Sequence, residues 1–463
     1  MRRQEKRPTG LSKALRTFYG VGDCGYTLAC NVETYFFSFF LTNMAQYSMA
    51  TISVLTTVIS VVCAVLVGVA GGIINSSKPM KWGRYRSWLV VIPWLIPLIY
   101  PFQFVKIGNG VISGLIIMAA AIISHTLWQF PYVASISMIS VAGKTQEERA
   151  QLSSTRAMWN SFSKVIFSVI GVPLAGVFAG ILGTRNQYAG VAFCLGLAMV
   201  IGYYAHFRMF DGYEEQETVT ENQKAPAKEK TSLKDLAVSL IQNPPLLALL
   251  IACISPYIYV FVTSGIAIYY FDYVVERSEM LSIYIMISSF VSIIGSYLCK
   301  KLVRVLTARR TFLFALLFMA ACSGLAFLRY DKMYEVIVLM SLVQLGFGII
   351  IASQPMLYSD VIIYNEWKTG KNAAGWITGL QMVPLNIGIV SRGIIISACL
   401  AFASFDPNQV LDVVPDELKT GICIAFMIIP GIVLLVGALI FGFGYRLTKE
   451  NVEKYQADLN ARR

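Results

Sequence analysis

The stretch DGYEEQETVTENQKAPAKEKTSLKDL, residues 211–236, decides the architecture. It forms most of the longest polar interruption in the chain, residues 208–244. Its charges are mixed and no apolar face recurs, which is the composition of a solvated linker. A short helix is expected within it near 232–241. On each side lie six apolar segments of the length that a bilayer crossing needs, about 20 residues. Before it come 20–43, 49–75, 87–105, 110–140, 155–182 and 188–207; after it come 246–272, 279–299, 311–328, 334–362, 374–403 and 420–445. Several show no period-two alternation, which argues against barrel strands. Helices are the other way to satisfy a backbone in lipid. The chain therefore reads as an all-α membrane protein with twelve transmembrane helices in two six-helix bundles. Its parts are an N-terminal segment 1–18, a first bundle 19–207, the linker 208–244, a second bundle 245–446 and a tail 447–463.

Composition points the same way. The 463 residues are 56% hydrophobic and 14% charged, against roughly 25% charged in soluble domains. This argues against a water-soluble enzyme, a disordered chain, a collagen-like fibre and a nucleic-acid binder. The net charge of +12 is carried at segment ends. Of 38 Lys+Arg, 29 fall on one side of the predicted spans and six on the other; Arg156, Lys164 and Arg392 lie within helices. That asymmetry predicts a multi-pass protein of the plasma (inner) membrane with both termini and the linker in the cytoplasm. The start MRRQEKRPTGLSKALR carries no cleavable-signal pattern, so the first apolar segment is expected to stay as a helix. Nine cysteines make neither a CxxC pair nor a metal spacing and read as reduced, apolar residues. Two histidines, no HExxH and no GxSxG leave no basis for an enzyme, and no cofactor or metal is expected.

The halves echo each other. Loops 2–3 and 8–9 are short and basic, and loops 4–5 and 10–11 each mix acid with base. Parallel six-helix halves around a central site are the plan of major facilitator transporters. Five motifs then carry a more specific likeness: Tyr19-Gly20-Val21-Gly22-Asp23, residues 81–88 (KWGRYRSW), 146–156 (QEERAQLSSTR), 269–273 (YYFDY) and 360–375 (DVIIYNEWKTGKNAAG). Together they resemble the glycoside–pentoside–hexuronide cation symporters over essentially the whole chain. The resemblance implies a monomeric, twelve-helix, alternating-access carrier for sugars or glycosides, usually driven by Na⁺ or H⁺. Departures accompany it. The family's paired carboxylates on helix 2 match Ala64–Val69, which has none. Three charged family positions match Thr27, Gln129 and Asn386, whereas the family's helix 5 arginine and helix 11 glutamine are kept as Arg156 and Gln381. The usual sodium chemistry is not expected here.

Charges inside the spans need a reason, since each costs about 2.5–3.5 kcal/mol at the bilayer centre. Helical spacing groups Tyr26, Cys30, Glu33 and Phe37, with Thr27 and Thr34 alongside; His125, Trp128, Gln129 and Tyr132; Arg156, Trp159, Asn160 and Lys164; and Gln381, Leu385, Gly388 and Arg392. The resemblance implies that these four faces line one cavity. Counting Arg156, Lys164 and Arg392 against Glu33 makes that layer positive, which favours an anionic cargo such as a uronide or a sulfonated or carboxylated glycoside. Trp128 and Trp159 suit either a sugar ring or packing. Glu33 is a candidate for proton coupling or for a structural bridge to Lys164 or Arg392, and His125 for a proton relay or a packing role. Arg149 and Asp360 are expected to pair as a gate. A uniporter or exchanger without cation coupling, and a lysolipid or amphipath transporter, remain as alternatives.

Overall fold

The computed structural model describes residues 10–77, 80–108, 110–143, 146–214, 243–370, 377, 380–403, 405 and 414–462. Among these there is no strand, only an isolated bridge between Met80 and Gly83. Nine of the described helices are long and apolar enough to cross a bilayer, and Met49–Cys63 and Trp88–Phe104 are shorter apolar stretches. The chain divides into two compact units, one built from residues 1–223 with 406–410, the other from 224–405 with 411–463. The interior of the expected linker, 215–242, with its expected short helix, lies outside the described residues.

The first unit contains α1 (Lys13–Phe18), α2 (Val21–Phe39), α3 (Met49–Ser76), α4 (Trp88–Val91), α5 (Ile96–Ile99), α6 (Val111–Ala142), α7 (Gln146–Ile166), α8 (Val172–Leu182) and α9 (Gln187–Met209). Segment 87–105, expected as one span, is a continuous apolar helical stretch, Trp88–Phe104, in which α4 and α5 alternate with 3₁₀ helix at Pro93–Leu95 and Tyr100–Phe104. The cause is local: Pro93, Pro97 and Pro101 recur every fourth residue, and each removes an amide from the helical ladder. Helix α2 is not among the nine most apolar helices, since it carries Asp23, Thr27, Asn31, Glu33, Thr34 and Ser38.

Helices α2 and α9 meet through glycine. A β-carbon on Gly25 would fall 2.6 Å from the Met199 α-carbon, and one on Gly202 would fall 2.7 Å from the Val21 carbonyl oxygen. Without a hydrophobic drive between helices in lipid, such close backbone contact supplies the packing energy. The basic loop after α3 docks on the end of α9. Gly83 takes φ +115°, which leaves room for Glu214. That carboxylate accepts from the amides of Tyr85 (2.9 Å) and Arg86 (3.0 Å). Arg86 pairs with Asp211 at 2.6 Å and covers the Phe207 ring at 4.3 Å.

The second unit contains α10 (Pro244–Tyr269), α11 (Met280–Leu306), α12 (Ala308–Phe327), α13 (Met333–Thr369), α14 (Met382–Phe402), α15 (Asp416–Cys423), α16 (Ile429–Gly444) and α17 (Lys449–Arg462). Helices α11 and α13 touch where Gly295 faces the Leu345 backbone and Gly348 faces that of Ser292. The C-terminal helix α17 packs on the end of α13: Trp367 Nε1 donates to Asp458 at 3.1 Å and its ring lies 4.3 Å from that of Tyr455.

One turn occurs in both units. Helix α2 ends in a π-turn at Phe40–Met44 and α10 in another at Tyr270–Val274. The amides of Ala45 and Tyr47 donate to Phe40 and Leu41, and those of Val275 and Arg277 to Tyr270 and Phe271. Gln46 (φ 55°) and Glu276 (φ 58°) both take the left-handed conformation that bulky residues rarely adopt.

Candidate functional site

Helix α2 runs in parallel with α7 and the π-turn at Phe167–Gly171 that follows it, with a nearly constant offset. Asp23 meets Arg156, Thr27 Oγ1 lies 3.2 Å from Asn160 Oδ1, and Tyr35 stacks on Phe167. Counting on by that offset, Lys164 corresponds in register to Asn31, whose Nδ2 is buried without a partner. Lys164 is half-buried, and among the described residues no carboxylate lies within 4 Å of it.

Asp23 is the centre of this face and was absent from the charges counted within the spans. Its side chain is wholly buried, and Oδ2 accepts from Arg156 Nε at 2.7 Å and from Ser135 Oγ at 3.2 Å. The motif Tyr19-Gly20-Val21-Gly22-Asp23 builds the surroundings residue by residue. A β-carbon on Gly20 would fall 2.9 Å from the Arg156 α-carbon, so glycine lets α7 approach. One on Gly22 would strike Tyr203 and His206, so glycine lets His206 Nε2 accept the Gly22 amide at 3.2 Å. Tyr19 donates to the Ser135 carbonyl at 2.6 Å and stacks on His206 at 5.3 Å. Asp23 was visible in principle: the stripe Tyr26, Cys30, Glu33, Phe37 extends one helical step back to residue 23.

An aromatic wall continues from the ion pair. The Arg156 guanidinium lies 4.9 Å from the Tyr132 ring, and Tyr132 stacks on Tyr26 at 4.4 Å. Tyr26, Tyr132, Gln129, Thr27 and Asn160 are half-buried, presenting ring faces beside hydrogen-bonding groups. Trp128 is enclosed: it meets Tyr26 and Tyr100 edge-on and stacks on His125 at 4.5 Å. Glu33 does not reach Lys164. Its Oε2 forms an ion pair with His125 Nε2 at 2.5 Å. His125 Nδ1 sits 3.2 Å from Cys63 Sγ. Thr34 turns inward on its own helix, donating to the Cys30 carbonyl at 2.8 Å.

Trp159 faces elsewhere. Its Nε1 donates to the Thr17 carbonyl at 2.9 Å and its ring lies 6.2 Å from Phe18, which fastens α1 to α7. Arg149 is exposed at the start of α7, with its side chain folded over Gly143. In the second unit, Gln381 and Asn386 are half-buried. Arg392 is 5% exposed on α14 and passes Gly265 of α10. Gly388 lies against the Tyr257 backbone, and Tyr257 donates to Gln354 at 3.4 Å. Asp360 is half-buried on α13. Among the described residues no group of three or more His, Cys, Asp or Glu side chains could hold a metal ion.

A single family model, described as "MFS/sugar transport protein", matches residues 18–449, nearly the whole chain. The chain belongs to the MFS/sugar transport family. Its members are membrane transporters, not enzymes. Similar members include the symporter YjmB of Bacillus subtilis, 24% identical over 98% of this chain and 96% of that one. The "Putative sulfoquinovose importer" of Escherichia coli is 23% identical over 96% and 93%, and the isoprimeverose transporter of Lactiplantibacillus pentosus 23% over 85% and 81%. Among solved structures, a mutant form of the nucleoside transporter NupG superposes with a TM-score of 0.64 at 13% identity, covering 93% of this chain and 99% of that one. A bacterial homologue of the lysosomal transporter Spinster gives 0.65 at 14% identity over 95% and 100%. These likenesses establish the fold of the family.

Proposed function

We propose that the chain is a proton-coupled carrier for a sugar or glycoside bearing a negative charge, working by alternating access. The observation that carries the reading is the half-buried face shared by α2, α6 and α7. There the stacked rings of Tyr26 and Tyr132 adjoin the Arg156 guanidinium, while Lys164 has no acidic partner within 4 Å among the described residues. Aromatic faces suit the C–H surface of a pyranose, and Thr27, Gln129 and Asn160 suit its hydroxyls. A buried ammonium without an anion is costly, and an anionic substituent offsets that cost when it binds. Relatives named for isoprimeverose and for sulfoquinovose support a glycosidic cargo and, in the second case, a sulfonated one. Glu33 and His125 supply the titratable pair for coupling.

Arg156 contributes less free charge than the sequence count gave it, because Asp23 holds it. The anionic reading therefore rests mainly on Lys164. It is tested by thermal-shift titration of the purified protein with para-nitrophenyl glucuronide and para-nitrophenyl glucoside, since stabilisation follows affinity. The glucuronide is expected to stabilise the wild type more than the glucoside, and Lys164→Gln to remove the difference. Equal stabilisation by both, unchanged in the variant, contradicts an anionic cargo.

A further inference from the structure

We infer that Asp23 is a proton-binding site that controls whether Arg156 is available to the cargo. In the structure one carboxylate oxygen is doubly served while the other is bare. Oδ2 takes Arg156 Nε and Ser135 Oγ, whereas Oδ1 is buried with no partner. Arg156 Nη2 and the Tyr203 hydroxyl are buried without partners as well. Unsatisfied polar atoms on both partners of one buried ion pair are expensive, since each forfeits its hydration. A proton on Oδ1 satisfies that oxygen and cancels the attraction that pins the guanidinium.

The rest of the network keeps the titration on Asp23. Because the Gly22 amide donates to His206 Nε2, that nitrogen carries no hydrogen. The ring is therefore neutral with its hydrogen on Nδ1, which faces Ser135 Oγ at 3.4 Å. Ser135 is thus left to donate its own hydrogen to Asp23. His206 and Ser135 are positioning residues. The titratable or charged groups around the carboxyl are Tyr19 and Cys24 along the chain, Tyr132 from α6, Arg156 from α7, and Tyr203 and His206 from α9. Asp23 is wholly buried, whereas the Arg156 side chain keeps 17% exposure, so the guanidinium is the mobile partner.

The step is a proton transfer. Hydronium gives its proton to Asp23 Oδ1, leaving water, a neutral acid and a free guanidinium. The acid returns the proton to water, and the ion pair re-forms. The use of the freed guanidinium rests on the proposed carrier reading; the titration itself does not.

Infrared difference spectroscopy of the full-length protein in liposomes, titrated with pH and without any sugar, reads the protonated carboxyl band directly. The wild type is expected to gain such a band as pH falls. Asp23→Asn should lack it, and Glu33→Gln should keep it. Ser135→Ala, which removes a hydrogen-bond donor to Oδ2, should shift the frequency of that band. That second variant keeps the test open if Asp23→Asn does not fold. A band retained in Asp23→Asn, a band of unchanged frequency in Ser135→Ala, or a band that follows Na⁺ concentration at fixed pH overturns the assignment. Sugar uptake plays no part in this measurement, so failed uptake with an intact Asp23 band would indict the carrier reading alone.

Discussion

Asp23 and Arg156 are a buried ion pair, and removing one partner of such a pair leaves the other unpaired at a cost of about 3–5 kcal/mol. Asp23→Ala is therefore expected to lower the melting temperature of the purified protein sharply. The double change Asp23→Ala with Arg156→Met should recover part of the loss, because it removes the stranded charge along with its partner. Melting temperatures that fall additively would show that the two side chains do not depend on each other. Glu33 and His125 answer to a different measurement. Glu33→Gln removes the charge 2.5 Å from His125 Nε2. It should abolish uphill accumulation while sparing exchange of labelled for unlabelled cargo; unchanged accumulation would exclude coupling through that pair.

At the scale of elements, glycines set the distances that the site needs. Gly25 has no room for a side chain, since its β-carbon would meet the Met199 α-carbon at 2.6 Å. Gly25→Leu should therefore prevent α2 and α9 from closing, seen as loss of the monodisperse species on size exclusion, whereas Gly176→Leu, in open surroundings, should be tolerated. Helix periodicity in the sequence revealed α2, α6, α7 and α14 and grouped polar side chains along each. It did not reveal which stripe meets which. The spacing offers Lys164 or Arg392 as a partner for Glu33; it does not show the contact of Glu33 with His125 across α2 and α6. Hydropathy places the proline-spaced segment 87–105 but is blind to missing amides, so it does not show the 3₁₀ helix within it. Asp23 was overlooked because it sits near a helix start, where an acid is ordinarily a solvated, dipole-favoured residue. The two glycines before it, Gly20 and Gly22, carry the explanation: they leave room for Arg156 and His206.

For the whole molecule, the repeated π-turns at Phe40–Met44 and Tyr270–Val274 show that both units end their first long helix by the same device. That is the most detailed trace of the internal repeat hinted at by the loop charges. Alternating access requires the units to exchange contacts, and Arg149 with Asp360 is the proposed gating pair. Arg149→Glu should then depress uptake, and combining it with Asp360→Arg should restore it; a double variant as inactive as the single one would remove the pair from the account. The central claim, a proton-driven carrier for an anionic glycoside, is tested most directly by uptake of para-nitrophenyl glucuronide into proteoliposomes with an alkaline lumen and no sodium. The account predicts accumulation above the external concentration that collapses with a protonophore and is lost in Glu33→Gln. Uptake that only equilibrates, or that proceeds equally without the pH gradient, would contradict it.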